Sequence, residues 1–346
     1  MIRQLILFLL SSLCLILGLE VFVRLAGISS PSIREFYDDI GRGTKSNVDY
    51  IYFSEGFGMG NINKFRYIGE ENEPKKSSNT IRIAVLGDSF VESFQIFERD
   101  HFGQHAEAYL SKKFPNKRIE FLNFGRSGFD IGDMYVYHKL FSSTFNPDLT
   151  IFMLSKDDLQ VKSSDKLRPR LDSTTDSLII RFDYPAQTLK LFNWGKFFTQ
   201  NSVLVNLLYN CVKRAKKRPP YGILFGKFYY SVYPKNTSQL IKKKPVELAK
   251  KTRMIIQNLD PSSTIIINRD TIGLGKPLEE LCKKRNLSSF SLVEDFRRMK
   301  DIGVNPTYWP ATGRVGHWNQ PTHRVVGESV AEYTYQFLSE KTEKNR

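Results

Sequence analysis

Cysteine is scarce: Cys14, Cys211 and Cys282 are the only three in 346 residues. That is too few for a disulfide framework or a zinc ribbon. Cys14 lies inside an apolar run, so at most Cys211 and Cys282 are available to pair, and the redox compartment cannot be read from them. Acids are in deficit, 36 Asp and Glu against 51 Lys and Arg, for a net charge of +15. The surplus is local. Between Cys211 and Arg253 thirteen Lys or Arg meet one acid, Glu247, a surplus of +12, so the rest of the chain is nearly neutral. Such a block suits a polyanion such as nucleic acid, anionic lipid or acidic polysaccharide, or is simply a solvated face. No nucleic-acid-binding motif accompanies it, so no nucleic acid partner is expected. Internal repeats are also lacking. Hydrophobic residues at 41% and charged residues at 25% exclude wholesale disorder, collagen-like repeats and a multi-span membrane protein. The length allows one large domain or two modest ones, and 26 Phe and 16 Tyr furnish a sizeable core.

From Leu5 to Leu19 the chain is apolar apart from Ser11 and Ser12. Glu20 interrupts, Val21, Phe22 and Val23 follow, and Arg24 ends the run. A membrane span needs about 20 residues and a signal-peptide core about 7–15, so the run falls between the two. Glu20 and Arg24, four apart, can pair on one helical face. We read residues 1–27 as a single N-terminal anchor, with a cleaved signal or a buried soluble helix as the alternatives.

Residues 28–80 read as a juxtamembrane stretch with turn signals at Gly56, Gly58 and Gly60 and a polar linker from Glu70 to Thr80. From residue 81 to about 342 strands and helices alternate. Strands are predicted at Ile81–Leu86, Arg118–Phe124, Asp148–Leu154, Thr264–Asn268 and Phe290–Val293. Helices are predicted at His101–Lys113, Ile131–Ser143, about Val246–Asn258, about Pro277–Arg285 and about Pro321–Leu338. Five strands separated by helices imply an α/β fold with a parallel, doubly wound sheet. Residues 160–243 break the rhythm. Their aromatic clusters and basic block predict a mostly helical inserted lobe, since so long a structureless loop does not suit a compact domain.

In a parallel sheet, reactive groups collect beyond the carboxyl ends of the strands. After the first strand comes Gly87-Asp88-Ser89, and after the second Gly125-Arg-Ser127-Gly128. After the third comes Ser155-Lys-Asp157-Asp158, and ahead of the last helix Gly316-His317-Trp318-Asn319. A hydroxyl, an imidazole that takes its proton and backbone oxyanion donors form the minimum kit for acyl transfer.

These four blocks, in order, resemble the SGNH/GDSL hydrolase family of esterases, lipases and polysaccharide O-acetyl-modifying enzymes, which share a flavodoxin-like sheet. The apolar N-terminus is also similar to the anchor of exported members near polysaccharide pathways. The resemblance implies Ser89 as nucleophile and His317 as its base. It implies Ser89 and Gly128 backbone N–H groups, with the side chain at Asp157, at the oxyanion position. Asp88, Asp158 and Asn319 would support them. It implies no metal and no cofactor. The expected substrate is an ester-bearing glycan or a small acyl ester, and the expected location a membrane anchor with the main domain exported, periplasmic or extracytoplasmic. An anionic membrane or acidic polysaccharide is a further partner expected of residues 211–253.

Two positions depart from the family pattern. The side-chain oxyanion donor is Asn in the family, whereas ionised Asp has no donor. The acid that orients the His stands two or three residues before it in the family; here Val315 and Arg314 occupy those places. That leaves a backbone carbonyl, or a distant acid such as Asp295 or Asp301, to hold His317. The alternative is a catalytically inactive relative that binds polyanionic glycan or membrane. Of the other histidines, His101 and His105 share the spacing of a helical metal pair but lack a third ligand, His138 sits within a helix, and His323 is expected to pack or face solvent.

Overall fold

The computed structural model describes residues 1–162, 165–217 and 248–344. The N-terminal run forms one helix, α1 (Ile2–Leu25). The stretch read as a juxtamembrane linker holds two antiparallel hairpins instead, β1 (Arg34–Tyr37) with β2 (Gly41–Thr44), and β3 (Val48–Phe53) with β4 (Phe57–Ile62). Ile68 bridges both Ile62 and Asn123, which ties the second hairpin to the edge of the main sheet.

The sheet follows. β5 (Thr80–Gly87), β6 (Arg118–Gly125) and β7 (Leu149–Leu154) precede the inserted segment, and β10 (Thr264–Asn268) and β11 (Ser288–Ser291) follow it. The inserted segment itself opens with a short antiparallel hairpin, β8 (Arg170–Ser173) and β9 (Leu178–Arg181). The main strands lie in the order β11-β10-β7-β5-β6, all parallel. β5 is thus flanked by β6 on one side and by the later strands on the other. That is the topological switch point, where a crevice opens at the carboxyl ends.

Near-continuous burial of β5, β6 and β7 reflects cover on both faces, as parallel sheets require. Period-two alternation divides the side chains. Ala84, Leu86, Phe124 and Phe152 pack beneath α4 (Ile131–Leu140) and α7 (Lys250–Gln257). Ile83, Val85, Ile151 and Ile267 pack beneath α3 (Phe102–Lys113), α9 (Val293–Asp301) and α10 (Gln320–Lys344). α8 (Lys276–Lys284) joins β10 to β11. One ion pair is buried in the sheet: Arg82 and Glu120 stand opposite each other on β5 and β6, with Nε to Oε2 at 2.6 Å.

Four of the five strands stand within one residue of the predicted bounds, and β11 lies two residues earlier than Phe290–Val293 at both ends. The charged helix α9 was not anticipated. In the inserted segment, α5 (Ala186–Asn201) and α6 (Val203–Lys217) match the mostly helical expectation among the described residues, and the short β8–β9 hairpin is added to them. Most of the basic block, residues 218–247, lies outside the described residues, and so do the first two residues of the helix predicted from Val246.

Candidate active site

β5 ends at Gly87, and Ser89 opens the four-residue helix α2 (Ser89–Glu92) directly beyond it. The Asp88 carboxylate caps this turn by accepting from the Phe90 N–H at 3.0 Å. Glycine is needed beneath it. A Cβ on Gly87 would stand 2.2 Å from Val91, and one on Gly125 would stand 2.3 Å from the Glu92 nitrogen. The helix therefore lies flat on the strand ends and lifts the half-buried Ser89 hydroxyl onto the rim.

His317 arrives from the loop between β13 (Arg314–Val315), which pairs with β12 (Tyr308–Trp309), and α10. Its Nε2 lies 2.8 Å from Ser89 Oγ. Its Nδ1 contacts the Glu55 carboxylate, which arrives from the turn between β3 and β4. Burial pushes the Glu55 carboxyl up, but the His317 hydrogen bond and positive charge, with a hydrogen bond from Ser54, outweigh it and hold the group at about 2. The group is therefore ionised at neutral pH and has no proton to offer, so Nδ1 carries the hydrogen and Nε2 accepts from the serine. A Cβ at Gly316 would lie 2.9 Å from Glu55, so glycine there permits the approach.

This corrects the expected orienting group. Asp295 is bonded to Arg298 on its own helix at 2.6 Å, and Asp301 is exposed at the end of α9. Neither they nor a backbone carbonyl holds His317. Val315 is 67% exposed. Arg314, in the other place where the family has its acid, binds the Ser54 carbonyl at 2.6 Å and so secures the loop that carries Glu55. Thr312 Oγ1 donates to the Glu55 carbonyl at 2.5 Å, and Trp309 Nε1 to the His317 carbonyl at 2.9 Å.

Gly128 follows β6 in the left-handed region, φ +76°, with open space about its α-carbon. The loop is held from both sides. Glu92, 1% exposed, accepts from the Ser127 N–H at 2.8 Å and from the Ser127 hydroxyl. Arg168 donates to the carbonyls of Ser127 and Gly128 at 2.8 and 2.9 Å. Within the loop the Ser127 N–H is taken by Glu92 and the Phe129 N–H by the Arg126 carbonyl at 3.0 Å.

Asp158 and Asp157 occupy a 3-10 turn after β7. Asp158 is buried and accepts from Ser155 N and Oγ at 2.7 and 2.9 Å. Arg269, just after β10, reaches Asp88 at 2.6 Å and Asp158 at 3.3 Å, with its guanidinium 4.2 Å from the Phe90 ring centroid. Burial and the neighbouring Asp88 charge push the Asp158 carboxyl up to about 6, against the pull of Arg269. Asp157 points outward and is exposed. Asn319 caps α10 by accepting from Thr322 N and Oγ1 and donating to the carbonyls of Asn305 and Tyr308. His101 is buried against the Val91 carbonyl, and burial lowers it to about 4. His323 is fully buried, accepting from the Phe102 N–H at 3.2 Å. Among the described residues no group of three His, Cys, Asp or Glu is placed to hold a metal ion.

Ser89, His317, Asp88 and Asp158 thus share one rim, with Glu55, Arg269 and Glu92 as the unforeseen members. Arg269 obeys the strand-end rule and was open to detection. A lone Glu in a glycine-rich turn looks like a solvated loop residue and carries no such signal.

No family model and no curated protein matches the sequence. Among solved structures the chain is similar to a two-domain esterase active on acetylated mannans, at 12% identity and TM-score 0.37 over 76% of this chain and 50% of that one. It is similar to a member of the lipolytic G-D-S-L family from Veillonella parvula, at 11% identity and TM-score 0.34 over 73% of this chain and 97% of that one. An acetyl xylan esterase aligns at 14% identity and TM-score 0.35 over 74% of this chain and 98% of that one. The chain spans half the length of the first of these. The fold is SGNH/GDSL hydrolase-like. That rests on the chain's own sheet order and on the placing of the four blocks around it.

Proposed function

We propose that this protein is a serine-dependent ester hydrolase or acyltransferase of SGNH/GDSL type. The observation that carries the reading is the unbroken chain Ser89 Oγ, His317 Nε2, His317 Nδ1, Glu55 carboxylate. His317 takes the Ser89 proton as Oγ attacks the acyl carbonyl. Charge then builds on the former carbonyl oxygen, which faces the backbone N–H groups of Ser89 and Gly128. The C–O bond to the alcohol breaks, and the alcohol leaves with the proton held on Nε2. Water or a sugar hydroxyl next gives its proton to Nε2 and attacks the acyl-serine. Ser89 recovers a proton as the acid or the new ester departs. Glu55 remains ionised throughout and stabilises the imidazolium. Asp157, exposed on its turn, is left out of the oxyanion pair.

We assign the acyl donor to esters of cell-envelope glycans or to small acyl esters. α1 has a mean hydropathy of 2.6 over its most apolar stretch, and 24 helical residues span about 36 Å, enough for a hydrocarbon core of about 30 Å. We read it as a single-pass anchor with the main domain outside the cytoplasm. The hydrolase-like unit, residues 81–342, then depends on residues 28–80 for Glu55. Glu55 beside His317 favours this reading over an inactive, polyanion-binding relative. The test is acetate release from p-nitrophenyl acetate and from O-acetylated glycan. Turnover that vanishes in Ser89→Ala supports the reading; turnover unchanged in that variant, or none in the wild type, overturns it.

A further inference from the structure

A cavity of about 760 Å³ adjoins the Ser127–Gly128 loop without touching Ser89. Arg34, Arg42, Arg126, Arg168 and Lys196 line it, and no Asp or Glu among the described residues does. The acids stand behind the wall. Arg34 lies 3.7 Å from Glu92 and Arg42 lies 2.5 Å from Asp165. Arg168 lies 2.9 Å from Asp133 and 3.3 Å from Asp165, and Lys196 pairs with Glu35. Among the described residues, five cations against four carboxylates leave one positive charge over. It belongs to Arg126. That side chain is 4% exposed, and its hydrogen bonds go to three neutral oxygens, the carbonyls of Gly125 and Arg66 and the Tyr137 hydroxyl. Its Nε has no partner. A buried guanidinium without a counter-charge is costly, and an anion in the cavity relieves that cost. The remaining wall carries Tyr50, Phe94, Phe192 and Tyr209 with Asn206 and Asn210, rings and amides suited to a sugar.

We propose that this cavity binds the carboxylate-bearing ring of an acidic glycan, next to the ester that reaches Ser89. Charge-assisted hydrogen bonds from the basic wall suit an anion, and a single surplus charge matches a monoanion better than a phosphate dianion. The proposal rests on the ester-hydrolase reading only for calling the cavity a substrate subsite. The test therefore uses the full-length Ser89→Ala chain in detergent micelles, titrated calorimetrically with methyl galacturonoside and with methyl galactoside, which lacks the carboxylate. The uronoside should bind at least tenfold more tightly than the neutral sugar, and Arg126→Gln should remove that preference. Because Arg126 is buried, Arg34→Gln serves as the second variant and should weaken uronoside binding severalfold. Equal binding of the two sugars, unchanged binding in Arg34→Gln, or stronger binding of inorganic phosphate than of the uronoside would overturn the proposal. Ester turnover by the Ser89 chain is scored separately, so binding without turnover sinks the hydrolase reading alone.

A different set of observations concerns α5 and α6. Leu191, Trp194 and Phe197 on α5 are 63–69% exposed, and Leu208 and Val212 on α6 are 55–56% exposed, each set at helical spacing on one face. The pair is fastened to the end of α1. Glu20 accepts from Ser202 Oγ and from the N–H groups of Val203 and Leu204, and Arg24 donates to the Asn201 carbonyl at 3.1 Å. We infer that these two faces lie in the bilayer interface beside the anchor, where tryptophan concentrates. In proteoliposomes of anionic lipid, brominated acyl chains should quench the wild type more than Trp194→Phe. The other two tryptophans serve as the internal reference, Trp318 being 1% exposed and Trp309 half-buried. Equal quenching of the two proteins would overturn the inference.

Discussion

Glu55→Gln keeps the side chain's volume and removes its charge. The amide can still touch Nδ1, but it no longer neutralises the imidazolium, and its NH2 end favours the tautomer that puts the hydrogen on Nε2, facing Ser89. Loss of an orienting acid with the rest of a Ser–His site intact lowers kcat by about 10⁴, or about 5 kcal/mol of transition-state stabilisation. We expect kcat for p-nitrophenyl acetate to fall by about 10³–10⁴ with KM within a few-fold of wild type. The same residue sets a pH signature in stability. The depression of Glu55 from 4.5 to about 2 favours the ionised form in the fold. That contribution is fully present above the unfolded value of 4.5 and is lost as pH falls through 4.5 to about 2. Urea unfolding in micelles should show the wild type more stable than Glu55→Gln at pH 7 and the two converging near pH 2. Activity within tenfold of wild type would refute the assignment of Glu55 as the orienting acid. So would a stability gap that does not close at low pH.

Gly316→Ala puts a methyl group 2.9 Å from Glu55, so the carboxylate must withdraw from His317; we expect activity to drop by tenfold or more with stability lowered by about 1–3 kcal/mol, measured by esterase kinetics and denaturant unfolding. Arg269→Met leaves Asp88 and the buried Asp158 facing each other without a cation. Unfolding free energy at pH 8 should fall by about 3–5 kcal/mol, and part of it should return at pH 5 as Asp158 takes up a proton.

The rim blocks were legible because their chemistry is local. A buried β-rich run, a glycine and then a capped serine specify a strand, a turn and a helix start within ten residues, and parallel pairing carries the result to the sheet edge. Gly56 and Gly58 were legible only as turn signals. Their work is close approach: a Cβ at Gly56 would lie 2.4 Å from the Trp309 ring, and one at Gly58 would lie 2.2 Å from the Phe94 carbonyl. Those contacts press the β3–β4 turn onto the rim and bring in Glu55. Glu55 and His317 are 262 residues apart, and neither periodicity nor spacing encodes a contact of that range. The helix α9 escaped because its polar stretch buries only Asp295, Phe296 and Met299, too narrow a stripe to stand out. The four-block order marked the rim that the proposed chemistry uses, while the missing local acid pointed toward inactivity because Glu55 lies in the stretch read as juxtamembrane.

The most direct measurement is covalent trapping at residue 89. The full-length protein in micelles is treated with a fluorophosphonate, digested and read by mass spectrometry. The adduct should sit on Ser89, form quickly in the wild type, slow by orders of magnitude in Glu55→Gln, and be absent in His317→Ala. A wild type that folds but takes no adduct, or a His317→Ala variant labelled at the wild-type rate, would contradict a serine activated through His317 and Glu55.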